Sequence, residues 1–410
     1  MSIRILFSSL RRNSLMPSLV LLQVALACAI LCNVLFLAWQ QMEPMLAPSG
    51  VDGNDLILVD GLDAPDRAWT AAEVQAGTDA LRTVPGVRAA SAALGLPMVV
   101  SFVNMRAFRG PTGAAVGVNV YEGYDLLDTL GLQLVSGRNF LPGEYRDLNS
   151  EQGKGVPEPV IITQSLARQL FGDASPLGQV LHSPEETKGP GSVVVGVVRH
   201  LLRNRMNVAT DGRADDTVLT PERVATSPWL AYAVRVDPAM REAALRGVRK
   251  AIESQFDSLL PVGSKPKAES YAARRDKVFK SRRATLELFA GVALTVVIVT
   301  VIGIMGLTGF WVQKRTRQIG IRRALGARRI DILRYFLAEN ALIVGIGVVL
   351  GMTLAYFGNA WLMRYYELPR LPWTWLPLGA LLMLLLGQLA VLSPALRAAR
   401  VPPVVATRSV

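Results

Sequence analysis

Four apolar runs interrupt this 410-residue chain, and each is long enough to cross a bilayer. The first extends from Asn13 to Met42 without a charged residue, and the others are Leu288 to Gln313, Asn340 to Met363 and Leu371 to Leu396. Roughly 20 helical residues cross the ~30 Å hydrocarbon core, so each run spans with length to spare. Between the second and third lies KRTRQIGIRRALGARRIDILRYFLAE, Lys314 to Glu339. It carries eight bases (Lys314, Arg315, Arg317, Arg322, Arg323, Arg328, Arg329 and Arg334) against Asp331 and the terminal Glu339. A short loop this basic belongs on the cytoplasmic side, because translocation of Lys and Arg is disfavoured. That placement orients every other segment.

The loop has helical order of its own. Ile321, Ala324 and Leu325 fall at i, i+3 and i+4, which makes one face of a short helix apolar and leaves Arg322 and Arg323 off it. Gly326 occupies the position of a C′ residue with positive φ, and Asp331 falls in the first turn of a following helix, where its charge suits the dipole. A helix of under three turns is marginal alone in water, so it needs a headgroup layer or a protein partner.

RTRQIGIRRALGARRIDILRYFLAE resembles the signature of MacB/FtsX-type ABC transporter permeases, in which this loop is the coupling helix that docks on an ATPase. Carried onto this sequence, the resemblance implies ATPase-coupling roles for Arg315, Arg317, Gly320, Ile321, Arg322, Arg323, Leu325, Gly326 and Arg328. Gln318 stands where the family usually has Glu, and Gly306 stands in GIMG where Asn is common. The closing SPALRAARVPPVVATRSV resembles the family's tail, with Pro402 and Val405 in place of its usual acidic residues.

The formal charge of +12 is concentrated rather than spread. Arg4, Arg11 and Arg12, the eight bases of the central loop over 314–335, and Arg397, Arg400 and Arg408 face a single acid, Asp331, and the remainder is close to neutral. Base confined to membrane-flanking segments is the positive-inside pattern, with attraction to anionic lipid as a second effect. It argues against nucleic acid as a partner. The two cysteines, Cys28 and Cys32, sit at i and i+4 in the first span, a spacing that suits small packing residues and excludes a disulfide framework.

These readings give an α-helical membrane protein with four transmembrane helices and a large α+β periplasmic domain inserted between the first and second. The expected plan is a cytoplasmic amphipathic helix over 1–15, spans over 16–42, 284–313, 336–363 and 372–396, and a periplasmic domain over 43–283. The coupling loop takes 314–335, a short outer loop 364–371 and a cytoplasmic tail 397–410. The first span lacks a small-x-small site at its end, which favours an uncleaved anchor. Inside the periplasmic domain, strand Asp55 to Val59, helix Thr70 to Arg82 and strand Val87 to Ala93 form one half, about 50–103. Strand Ala231 to Val236, helix Pro238 to Phe256 and an extended piece from Pro261 form the other, about 229–268. The pattern predicts a split α+β sandwich with an insertion over about 104–228. Within the insertion, GLQLVSGRNF and SLARQLFGDASPLGQ resemble the family's periplasmic core domain. Glu269 to Arg283 reads as a charged helical stalk, since it lacks Gly and Pro.

Catalytic constellations are missing from the sequence. No G-x-x-x-x-G-K-[ST] cradles phosphate, and Gly153-Lys154-Gly155 lacks both the spacing and the hydroxyl. His182 and His200 are the only histidines and have no Cys nearby, which makes a zinc site improbable. Glu122, Asp125 and Asp128 read as a solvated acidic helix face. Glu287 and Glu339 lie near span ends and no ionisable residue occupies a span centre, which weighs against an ion channel or secondary transporter.

The resemblance implies the permease subunit of an ATP-driven exporter of a drug, peptide or other periplasmic substrate, multi-pass in a bacterial inner membrane with both termini cytoplasmic. It implies no catalysis and no cofactor in this chain, with ATP and Mg bound by a separate ATPase subunit. It further implies a second permease, identical or not, membrane lipid and, for exporters, a periplasmic adaptor and a TolC-type outer-membrane channel. A non-transporting signal transducer acting on a periplasmic partner, or a lipoprotein-releasing permease, is the alternative reading.

Overall fold

The structure, a computed structural model, describes residues 15–111, 113–148, 155–184, 189–204, 214–365 and 370–400. The expected N-terminal amphipathic helix and most of the expected tail therefore lie outside the described residues. The chain divides into two compact units, Met1–Glu43 with Arg282–Val410, and Pro44–Ser281.

Helix α1 (Leu15–Leu46) is the first element among the described residues and leads into the second unit. There β1 (Leu56–Asp60), α2 (Ala71–Arg82) and β2 (Val87–Leu94) follow in order. The start of α2 is set by Thr70: its N–H donates to Glu73 Oε2 at 2.9 Å while Glu73 N–H donates to Thr70 Oγ1 at 3.3 Å, a reciprocal cap. The segment between β2 and Ala231 contributes β3 (Asn104–Arg109), β4 (Ala115–Gly123), α3 (Leu126–Leu130), β5 (Leu134–Gly137) and β6 (Arg146–Asp147). It continues with β7 (Glu158–Thr163), α4 (Gln164–Phe171), β8 (Val180–Leu181), β9 (Ser192–Val198), β10 (Thr217–Thr220) and β11 (Glu222–Arg223). Strand β12 (Ala231–Val236), helix α5 (Arg241–Phe256) and β13 (Lys267–Ser270) complete the domain.

The main sheet runs β13-β1-β12-β2-β4-β10-β7-β9-β5, with β3 on β4 and β8 on β9. Its first four strands are antiparallel, and with α2 and α5 they form a split β-α-β pair whose halves come from distant parts of the sequence. Helix α5 places Ala244, Val248, Ile252 and Phe256 inward at four-residue spacing, against Ile57, Val59, Tyr232 and Val234 of the sheet. Among the described residues the insertion prolongs this sheet through two β2–β4 pairs, Ala93 with Gly123 and Leu94 with Glu122. The expected stalk is shorter than read, because Glu269 and Ser270 pair with Leu58 and Ile57 and are strand, not helix. Backbone pairing outweighs the helix-permissive composition there.

Helix α6 (Tyr271–Lys314) follows without a break, then α7 (Thr316–Ala324), α8 (Arg329–Leu362) and α9 (Leu376–Ala399). Among the described residues, four helices have the length and hydropathy to cross a membrane: those at Pro17–Leu46, Tyr271–Lys314, Arg329–Leu362 and Trp373–Ala399. Within the membrane unit, α1 packs through small residues. A Cβ on Gly351 would lie 2.6 Å from Cys28 Cβ, and one on Gly347 would lie 2.9 Å from Val24 Cγ1, so the glycines admit α1 against α8. Cys28 in that contact and Cys32, beside Gly379 of α9, are free and buried, their sulfurs 4.0 Å apart. Polar ties join the spans where lipid offers no partner: Asn340 Nδ2 donates to Gly387 O at 3.0 Å, and Leu371 N–H donates to Asn359 Oδ1 at 2.9 Å.

Candidate functional site: the basic loop between two spans

The loop from Lys314 to Asp331 is a short helix held between two long ones. Arg315 alone separates α6 from α7. The carbonyls released at this joint find donors nearby: Arg315 N–H donates to Val312 O at 3.1 Å, and Thr316 Oγ1 donates to Gln313 O at 2.8 Å. The far end of α7 closes on Gly326, whose φ of 98° lets Ala327 N–H reach back to Arg322 O at 3.1 Å. Helix α8 then starts behind Arg328, whose N–H donates to Asp331 Oδ2 at 3.0 Å.

This frame sorts the residues by face. Ile319 and Gly320 turn inward and are buried, and Ile319 joins the apolar core of the membrane unit. Ile321 is 49% exposed and Leu325 84% exposed, and Arg317, Ala324 and Arg328 are exposed as well. The apolar stripe expected of the loop is thus uncovered. Arg322 lies over the Tyr335 ring, 4.9 Å from its centroid, and Lys314 over Phe310 at 5.0 Å. A crevice of about 250 Å³ separates α7 from α8, lined by Gln318, Ile319, Arg322, Asp331, Tyr335 and Phe336 among others. Arg323 lies within α7, and its side chain is outside the described residues.

Arg315 also lines this crevice, and its guanidinium is turned toward Trp311 and Glu339. Its guanidinium sits 4.5 Å from the Trp311 ring centroid, and its Nη1 lies 3.2 and 3.3 Å from the two oxygens of Glu339, which is 1% exposed. Sequence spacing does not bring these two together, since a turn and two helix ends separate them. The available signal was a carboxylate embedded in the apolar run FLAENALIV, where an ionisable group needs a named partner.

The α+β unit holds a second charged group. Glu122, expected on a solvated helix face with Asp125 and Asp128, instead lies in β4 and is buried, accepting from Asn104 Nδ2 at 2.6 Å and Arg106 Nη2 at 2.9 Å. Both faces of β4 are covered from Val118 to Gly123, so Glu122 is buried with its neighbours, which a helical reading of the segment misses. Glu158 lies 3.7 Å from Arg106, and burial pushes both Glu158 and Glu222 up to about 7, with Arg106 and Arg146 opposing the shift. Asp125 is pushed up to about 6 by burial and by Asp128. Among the described residues no group of three His, Cys, Asp or Glu is arranged to hold a metal.

Residues 20–257 match the family model of the MacB-like periplasmic core domain, and residues 290–403 match that of the FtsX-like permease C-terminal. The chain is 30% identical over 297 residues to the uncharacterized ABC transporter permease YknZ of Bacillus subtilis, covering 71% of this chain and 69% of that one. It is 30% identical over 217 residues to the macrolide export ATP-binding/permease protein MacB of Bdellovibrio bacteriovorus, covering 51% of this chain. Against MacB of Acinetobacter baylyi it is 26% identical over 324 residues, or 75% of this chain. The matches span 32% and 43% of those two MacB proteins. The crystal structure of the periplasmic region of MacB from Actinobacillus actinomycetemcomitans aligns with 56% of this chain and 94% of its own at 12% identity, with a TM-score of 0.37.

Proposed function

The chain belongs to the MacB/FtsX family of ABC transporter permeases, and from that premise we propose that α7 is its coupling helix, docking on an ABC ATPase through Ile321, Ala324 and Leu325. Its exposure is the observation that carries this reading: an apolar stripe flanked by Arg317 and Arg328, on a helix too short to stand alone, is left uncovered between two spans. An acidic, apolar-centred surface on the ATPase fits it. ATP and Mg²⁺ would be held by that ATPase.

The basic loop would lie in the cytoplasm of a bacterial cell and the α+β unit on the far side of the membrane. Movement of α7 on nucleotide binding would pass through α6, whose first turns are tied to the α+β unit. Arg274 Nη2 is 2.7 Å from Asp60 Oδ2, and Arg275 Nη2 donates to Met45 O at 2.8 Å. The names of the MacB relatives support export as the task. An adaptor, an outer-membrane channel and a second permease would complete such a machine.

The test is copurification. Ile321→Asp with Leu325→Asp should abolish recovery of the ATPase with the tagged permease while the permease still inserts, and stoichiometric ATPase in that variant would end the assignment of α7.

A further inference from the structure

Arg315 and Glu339 lie where the coupling reading needs a stiff joint. The α6–α7 junction is one residue long, and its backbone is fully engaged: Arg315 N–H with Val312 O, and Ile319 N–H with Arg315 O at 3.0 Å. The Arg315 side chain is gripped on two sides, by the Trp311 ring from α6 and by both carboxylate oxygens of Glu339 from α8. The next residue on α8, Asn340, is tied to Gly387 of α9. The Arg315 guanidinium therefore connects the joint to the packed spans, beside the apolar contact that buried Ile319 makes with their core.

Stability alone does not account for this arrangement. A buried ion pair costs desolvation that an apolar pair of similar volume would avoid, and its best-attested use is to fix registry or orientation. Arg suits that use, since its planar fork can stack on an aromatic ring while meeting a carboxylate.

We infer that Arg315 and Glu339 are a positioning pair, which sets the angle at which α7 leaves α6 and hands displacement of α7 to the spans instead of letting the joint absorb it. The inference rests on the reading of α7 as the ATPase-docking helix. The pair is separate from that docking face, because Arg315 is directed inward while Ile321 and Leu325 are exposed.

The experiment uses the full permease with its copurified ATPase and compares hydrogen exchange of residues 44–281 with and without ATP plus vanadate. In the wild type, nucleotide should change that exchange. Glu339→Gln should retain the ATPase and hydrolyse ATP, yet lose the nucleotide-dependent change, and Arg315→Gln should lose that change as well. The exchanged pair, Arg315→Glu with Glu339→Arg, should regain it, and serves as the decisive variant if either single change prevents insertion. Single variants that respond to nucleotide as the wild type does, or an assembled exchanged pair that stays unresponsive, would overturn the inference. A wild-type permease that retains no ATPase would instead remove the docking reading beneath it.

Discussion

Glu158 and Glu222 have a measurable consequence of their own. Burial raises both to about 7, so the folded chain binds these protons more tightly than the unfolded chain does. Their stabilising contribution is complete below the ordinary glutamate range and is lost as pH rises through about 7. Asp125, raised to about 6, acts in the same direction, whereas Glu73 and Glu144 are held below their usual range and lose stability only on acidification. Raising pH from 5.5 to 8 should therefore lower the unfolding temperature of the α+β unit. At about 2 kcal/mol the effect is roughly 5 °C, read by fluorescence-monitored melting of the full chain. Glu222→Gln should flatten that slope, and an unchanged slope would remove the carboxylate cluster as its cause. This cluster was not legible in the sequence. Glu122, Glu158 and Glu222 meet only because β4, β7 and β11 converge, while Thr70 and Glu73, three residues apart, announced their reciprocal cap by spacing alone.

At the scale of elements, local period and long-range pairing divide what could be foreseen. The apolar spans, the C′ glycine of α7 and the helix with Asp331 in its first turn follow from neighbours within a few residues. The single sheet shared by both halves and the insertion does not, since its junction is two residue pairs between strands that nothing in the sequence matches. Nor does β13, where pairing with β1 takes Glu269 and Ser270 out of an otherwise helical stretch. Helix α6 begins directly after them and is the element on which the proposed transmission depends. Three glycines inserted after Arg283 should break its stiffness, as each Gly costs about 1 kcal/mol in a helix interior. The expected outcome is unchanged ATP hydrolysis with no nucleotide-dependent exchange in residues 44–281. A seven-residue alanine-rich insertion at the same place adds about two full turns and should preserve the response. Equal behaviour of the two insertions would show that α6 does not carry the motion as a rod.

For the whole molecule, charge and hydropathy argue for one orientation. The bases that flank the spans cluster in the α6–α8 loop, at the two ends of the sequence and in the first turns of α6, where Arg274, Arg275, Lys277, Lys280, Arg282 and Arg283 face only Asp276; this last group borders a long domain, where base counts little for orientation, so the short α6–α8 loop decides. Two exposed positions test this against each other: Val262, in the turn after α5, and Arg329, at the start of α8. With Cys28 and Cys32 replaced by Ala, which their packing against Gly351 and Gly379 should tolerate, each position can carry the only thiol. Val262→Cys should react with a membrane-impermeant maleimide in intact spheroplasts, and Arg329→Cys only after permeabilisation. The converse labelling would put the basic loop outside, where no cytoplasmic ATPase could reach α7, and the proposed direction of coupling would fall with it. Retained labelling of Val262→Cys when the loop bases Arg317, Arg322, Arg328 and Arg329 are made Gln would show that charge at the termini suffices to orient the chain, since short-loop Lys and Arg act together in setting topology.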